Sequence, residues 1–495
     1  MTAWKRATLL TCVLGGFLAA PAWAQSRPLP YDEVLRKAVE NNPSLATSRM
    51  ALLQAEGGVL SAQGQFDPTY TLDGSFDQRR TQGFFQGFPF TSRSESWRVG
   101  NRLSGSAATG TSYALNADLD GTLSEFETDF GLGGNQVQTQ RATNANLGVS
   151  ITQQLLEGIL YRYNLQNVTR ARQNASNAEL QLEKAEQDAQ YTAAEAYWNW
   201  VYTHELQRIA DDSVEVAKEA FRVGQLQVES GQLAPVEATR LEAAMVQAEQ
   251  AAIEARNTSE QAANALLLAI GEGPDQPIVP ATPAGDVPPM ELDEAAVVEV
   301  ALAQNLDLAV SRAQLELARL DQSAAKHALL PTLSATGSAG VASQDITGST
   351  GGAVSGLFDS DNQPFVAVSG QLAVPLGNRA ARGERDRTEG LVSQRERELA
   401  DLERSVRAQV EEQVRSLQSA RRSMELADVN LRLAEETLAA EEALASAGRN
   451  IQKDVLEART EVDRSKAEAA KARTDYRLAQ AQLLRLQGLL DQGAP

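Results

Sequence analysis

The sequence predicts a mixed, mainly α fold built as an internal two-fold repeat, each half carrying long helices around an amphipathic β region. Three observations predict it. Residues 42–75 align without gaps to residues 305–338, 263 positions apart, and share Asn42/Asn305, Ser48-Arg49/Ser311-Arg312, Pro68-Thr69/Pro331-Thr332 and Gly74-Ser75/Gly337-Ser338. The stretch "FDPTYTLDGSF", 66–76, alternates nonpolar and polar residues with the period of two that separates the faces of a strand. From about Arg379 to Ala447 the chain is Ala/Glu/Arg-rich, with Leu399, Leu402, Val406, Val410, Val414 and Leu417 spaced by threes and fours, the stripe of a long packed helix.

Taken in order, the first element is "MTAWKRATLLTCVLGGFLAAPAWAQ". Lys5 and Arg6 precede an apolar run, and Ala22-Trp23-Ala24 supplies a cleavage pattern, so 1–24 reads as a secretory signal peptide. Its removal would leave 43 basic against 65 acidic residues, a net charge of −22. Such a chain is a poor partner for nucleic acid or an anionic lipid surface. Cys12, the only cysteine, would leave with the signal, so neither disulfide nor thiol chemistry is expected. After residue 25 no apolar run approaches 18 residues. A chain that crosses a membrane without such a run must do so as a closed β-barrel, where every backbone group is paired.

The first repeat, 25–270, is then expected to hold a helix over 31–65, β segments within about 66–155, a long helix over about 160–229, and a helix over 231–270 after a break at Gly231. A Pro/Gly-rich connector, 271–290, follows. The second repeat, 291–495, is expected to hold a helix over 291–328, β segments within about 332–376, a long helix over about 379–447, and a helix over 449–488 after a break at Gly448. The offset falls from 263 in the early landmarks to 217 at Gly231/Gly448, so the first half carries 46 additional residues in its β region.

Four alternating segments lie in the first half (66–76, 97–103, 111–119 and 145–155) and two in the second (332–341 and 366–376). A soluble sandwich would alternate too. Several segments, however, have the roughly 9–11 residues of a tilted membrane strand, and their polar faces carry the Thr, Ser, Asn and Asp that suit a wet lumen. The short connection "SGSAATG" contrasts with 77–96 and 121–143, which read as long outer loops. Six strands do not close a water-filled pore, so several copies are expected to contribute. From the long helix alone, a trimeric coiled-coil stalk remains the other reading.

Together these features resemble the TolC-like outer-membrane channels of bacterial efflux pumps and type I secretion systems. The resemblance is carried by "NNPSLATSR…QFDPTYTLDGSF", "VSITQQLLEG", "VESGQLAPVEATR" and "SAGRNIQKDVLEAR", in that order. It implies a homotrimer whose strands, entered at Pro68 and Pro331, share one outer-membrane barrel. It also implies helices forming an α-helical barrel through the periplasm, with the connector 271–290 in an equatorial belt. The partners implied are a periplasmic adaptor and a proton-driven or ATP-driven inner-membrane pump. The breaks at Gly231 and Gly448 would be the tips where the adaptor docks. "DVLEA" matches the family's constriction motif, so Asp454 and Glu457, on one helix face, would make carboxylate rings in the pore, with Glu237 the acidic partner on the other tip. Ordinary solvated acids are the alternative for all three. Where the family's gate has a tyrosine and an arginine, this chain has Ala445 and Asn450, so its closed state is expected to be held differently. Family members commonly supply two strands per half. Four here point to an added hairpin, 96–121, either in the barrel or folded over its outer mouth.

Two further stretches stand out. The cluster "YWNWVYTH", 197–204, reads as packing between tunnel walls rather than as a ligand site. "GFFQGFPF", 83–90, falls in an expected outer loop and could meet the membrane interface or the barrel rim. His204 and His327 each lack a neighbouring ligand set, and there is no phosphate loop or nucleophile elbow. No catalysis, metal or cofactor is expected; transport energy would come from the pump.

Overall fold

The computed structural model describes residues 27–85, 87–129, 135–156, 158, 161–274, 277–282, 285, 293–360, 362–446 and 452–490. The expected signal peptide, most of the second half of the connector, Gly448 and Asn450 lie outside them. In chain order the elements are β1 (Arg27–Leu29), α1 (Tyr31–Glu40), α2 (Pro43–Gln63), β2 (Thr69–Phe85), β3 (Phe88–Ser106), β4 (Thr111–Asp129), β5 (Asn135–Gln154), α3 (Tyr161–Asn164), α4 (Gln166–Glu229), α5 (Pro235–Ala269), β6 (Ile278–Pro280), α6 (Glu294–Gln304), α7 (Leu306–His327), β7 (Thr332–Asp345), α8 (Thr350–Gly356), β8 (Gln363–Ala373), α9 (Arg379–Ser446) and α10 (Gln452–Gln487). The chain divides into two compact units, one of residues 1–46, 185–303 and 406–495, the other of 47–184 and 304–405.

The helix expected over 31–65 is two helices, and so is that over 291–328. Each second helix starts beside an asparagine. The Asn42 side chain accepts from the Ser44 backbone N–H at 2.9 Å, ahead of Pro43, and the Asn305 side chain accepts from Leu308 N–H at 3.1 Å. A side-chain oxygen that satisfies a first-turn donor makes a helix start there, whatever the hydrophobic pattern says. The long helices α4 and α9 have 64 and 68 residues. At ~1.5 Å per residue each is about 100 Å long. Along them many charges pair within one helix, as Arg222 with Glu219 and Arg415 with Glu412 do, solvent-screened contacts that each contribute little.

In the unit containing the sheet, helix register is fixed by cross-helix pairs: Arg170 with Asp321, Lys184 with Asp307, and Arg319 with Glu396. Its six strands form one sheet in the order β2-β3-β4-β5-β7-β8, every neighbouring pair antiparallel. The stretches 77–96 and 121–143 are not long loops. β2 and β3 pair all the way from Thr69↔Ser104 to Phe85↔Phe88, reversing at Gly87 with φ 88°, and β4 and β5 pair from Thr111↔Gln153 to Asp129↔Asn135. The alternation fades after Phe76, in "DQRRTQG", because both faces turn polar there. The backbone ladder does not depend on side-chain polarity and runs on. "GFFQGFPF" is therefore the tip of a hairpin, with Phe84 exposed and Phe90 stacked on Phe126 at 4.8 Å. The connection from β7 to β8 contains a short helix, α8, that the sequence did not announce.

The other unit has its core around α1, the middle of α4 and the ends of α5 and α10: Leu29, Val34, Trp198, Trp200, Leu266 and Ile270 are buried together. The aromatic cluster 197–204 packs here, against the chain's own N-terminal segment. Tyr197 is fully buried; its hydroxyl accepts from Thr282 N–H at 3.2 Å and lies 3.3 Å from the Leu29 carbonyl oxygen. It so bridges β1 and the segment after β6, which pair in parallel. The stripe on α9 is buried at Val406, Val410, Val414 and Leu417.

A four-charge cluster closes this core. Lys37 pairs with Glu33 at 3.0 Å and with Glu272 at 2.5 Å, while Arg27 pairs with both carboxylates. The Lys37 hydrogen bond, helped by Arg27, holds the Glu33 carboxyl below the ordinary glutamate range. A depressed carboxyl contributes stability in full above its unfolded value and loses it as pH falls through the lower folded value. Amide protection factors over 27–40 should therefore fall on acidification below the ordinary glutamate range. In Glu33→Gln they should be low already at neutral pH, with a flatter acid dependence; an unchanged acid profile would remove Glu33 from the clamp.

Candidate channel wall and helix turns

The strand registers sort the side chains of all six strands onto two faces. One hydrogen-bonded row reads Tyr70–Leu103–Leu115–Val149–Ala339–Val366, and another, on the same face, Leu72–Asn101–Ala117–Leu147–Val341–Pro364. Apart from Asn101, which receives the Tyr70 hydroxyl at 2.6 Å, these rows are apolar. The side chains of Tyr70, Leu72, Phe76, Val99, Leu115, Val149, Val366 and Val368 are exposed together, an apolar patch of the kind that marks an interaction or membrane surface. Phe76 pairs directly with Trp97, an aromatic row at the far limit of this apolar zone; Tyr113 sits towards the other limit.

The opposite face is wet. Arg98 donates to Asp118 at 2.9 Å, Asn144 to Asp120 at 2.9 Å, and the Thr152 and Thr336 hydroxyls lie 2.9 Å apart. Gly100 makes room for these carboxylates: a Cβ there would lie 2.7 Å from an Asp73 oxygen. Arg98, Asp118 and Asp120 were not singled out from the sequence. Polar alternation marks a face, but only the register shows which charges become neighbours.

Pro68 and Pro331 each stand one residue before a strand, β2 and β7, where the chain leaves helix. At the helix turn, Gly231 has φ 74°, and Gln232 N–H reaches back to the Gln227 carbonyl at 2.8 Å, closing a left-handed helix end. Pro235 opens α5 two residues before Glu237. Glu237 is half-buried and ion-paired to Arg240 at 2.6 Å, a partner the sequence reading did not assign. Asp454, half-buried, lies in the first turn of α10, where the helix dipole favours a carboxylate, and Glu457 is exposed one turn on. Ala445 lies in the last turn of α9. Near these turns Glu215, Val216, Glu219, Glu442, Val455 and Arg459 line a groove of about 410 Å³. Among the described residues no three His, Cys, Asp or Glu side chains cluster as a metal site, and no helix is long and apolar enough to cross a membrane.

The described residues thus join one six-stranded sheet of two unlike faces to very long helices. The outer membrane efflux protein family matches residues 297–489. No curated protein matches the sequence. Among solved structures, the fold is similar to the CmeC outer membrane channel of Campylobacter jejuni (TM-score 0.63, 14% identity, 93% of this chain and 86% of that one). It is similar also to the outer membrane protein VceC of Vibrio cholerae (TM-score 0.62, 15% identity, 92% and 96%) and to the MtrE outer membrane channel of Neisseria gonorrhoeae (TM-score 0.64, 17% identity, 93% and 89%). Over nearly its whole length the chain therefore has the fold of the TolC-like outer-membrane channels, and over 297–489 it carries the family's sequence signature.

Proposed function

We propose that this protein is the outer-membrane exit duct of a tripartite efflux pump or type I secretion system. It is a passive channel and not an enzyme, seated in the outer membrane and reaching into the periplasm. The observation that carries this reading is the six-stranded sheet whose Leu, Val and Ile residues all fall on one face, in a chain with the outer-membrane channel fold. The signal peptide, 1–24, sends it out of the cytoplasm.

Three copies form the working assembly. The single chain has an open sheet, not a barrel, and its helices expose Leu53 and Leu60 on α2 and Val246 and Ile253 on α5. Neighbouring copies would cover such surfaces. The two repeats, 25–270 and 291–495, fill corresponding places, consistent with the matched roles of Asn42 and Asn305. A periplasmic adaptor docks at the turns around Gly231 and Gly448, and an inner-membrane pump, proton-driven or ATP-driven, supplies the energy. Asp454 and Glu457, repeated three times about an axis, form the constriction, with Glu237 beside them; the Glu237–Arg240 pair makes Glu237 the weaker contributor to its charge. A secreted coiled-coil stalk has no use for the apolar face of the sheet and is disfavoured.

In planar bilayers the protein should give cation-selective conductance. Asp454→Ala together with Glu457→Ala should lower the cation preference several-fold, since rings of carboxylate repel anions. Conductance with unchanged selectivity would move the constriction elsewhere; no conductance at all would return the stalk reading.

A further inference from the structure

We infer that the lipid-embedded wall is made of eighteen strands, six from each of three copies, sealed where β8 of one copy pairs with β2 of the next. The inference rests on the channel reading and adds to it which strands form the wall and where it closes.

The first ground is that the β3–β4 hairpin is an internal part of the sheet. β3 and β4 stand between β2 and β5 with complete ladders on both sides, so the hairpin is not free to fold over a rim. Its Leu103 and Leu115 lie in the same row as Tyr70 and Val149.

The second ground is the slant of the apolar zone. On β2 the zone is centred near residue 73, between Tyr70 and Phe76; on β8 it is centred at Val368, between Pro364 and Leu372. Followed back along its row, Val368 reaches Gly337, Ile151, Tyr113 and Gly105. Gly105 lies one place beyond the Thr69↔Ser104 pair, level with residue 68, just before β2. The zone thus drifts by about five residues over five strand-to-strand steps, about one residue per step. With ~3.3 Å per residue along a strand and ~4.8 Å between strands, a level lipid belt requires a strand tilt of about 35°. That is the tilt of membrane barrels, and it is uniform only if all six strands belong to one wall.

The third ground is the pair of open edges. β2 and β8 leave a row of backbone N–H and C=O groups unpaired beside exposed Tyr70, Leu72, Val366 and Val368. In lipid each such group costs several kcal/mol. Five antiparallel steps leave β8 running opposite to β2, so a second copy of this chain fits the edge without changing the pattern. Continuing the drift of one residue per step places Val368 opposite Gly74 of the next copy, and Ser369 opposite Asp73 on the polar face. At this tilt eighteen strands give a backbone radius of about 17 Å, against about 11 Å for twelve.

Two measurements on the full chain in lipid nanodiscs test this. Spin labels at Tyr70, Leu115, Asn116 and Val368, one per variant, should relax with dissolved oxygen at 70, 115 and 368, and with an aqueous nickel complex at 116. A label at 115 that meets water while 70 and 368 stay in lipid overturns the eighteen-strand wall and leaves the channel reading intact. Water at all of them overturns the channel reading itself. The double variant Ser369→Cys/Asp73→Cys should form covalently linked trimers on oxidation, and each single variant none. Within one chain these positions are five strands, roughly 24 Å, apart and cannot join. Trimers in native electrophoresis that never cross-link in this pair, or in Val368→Cys/Gly74→Cys, would overturn the seam.

Discussion

Replacing Leu115 by Arg should destabilise the bilayer-inserted protein by about 2–4 kcal/mol, the cost of a cation at the lipid midplane of a β-barrel. Leu115 is exposed in the single chain, on a central strand, between Leu103 and Val149. A soluble protein would tolerate a charge at such a position, because surface substitutions away from special features stay within about ±0.5 kcal/mol. The size of the effect therefore reports the solvent on that face. Asn116→Arg, one residue along the same strand, faces the side carrying Arg98 and Asp118 and should cost far less. Urea unfolding of both variants in lipid vesicles, followed by electrophoretic mobility of the folded form, measures the difference. Equal small effects would mean that water, not lipid, covers both faces.

Trp200→Ala should remove about 3–5 kcal/mol from the other compact unit, the usual range for deleting a buried large aromatic. Trp200 is 1% exposed and meets the Tyr197 ring edge-on at 5.9 Å. Its neighbours come from α1, α5 and α10, so a cavity there has no single element that can collapse into it. Tyr197→Phe keeps the packing but deprives the Thr282 N–H of its acceptor, and should cost about 1–3 kcal/mol. The two residues touch, so the double variant should cost less than the simple sum. Hydrogen exchange at β1, α1 and β6 is the readout. Protection there that survives Trp200→Ala would show that this core does not hold the N-terminal segment.

The helices were legible because their signals are local. Periodic Leu and Val on α9 faced inward as the spacing required, and Gly231 stands at the turn where a left-handed residue is needed. The split between α1 and α2 was equally local, since Asn42 and Pro43 mark a helix start, yet the hydrophobic pattern running through 31–65 concealed it. The strands were legible only as far as their apolar zone. Beyond Phe76 and before Trp97 nothing in the side chains distinguishes a polar strand from a polar loop, and the distinction comes from a ladder made by distant residues. Asp454, Glu457 and Glu237 were proposed for the constriction from the family resemblance, whereas the Arg240 partner and the Arg98–Asp118 pair emerged only when residues were placed side by side.

By itself the sequence determined that the chain is mainly helical, that its β segments have two unlike faces, and that the chain turns at Gly231. Each of these follows from residues within one or two turns of each other. Strand order, strand length past the apolar zone, the hydroxyl lock at Tyr197 and the two unpaired edges were decided by the tertiary structure. They depend on backbone hydrogen bonds between residues as much as 250 positions apart, and a backbone donor looks the same under every side chain.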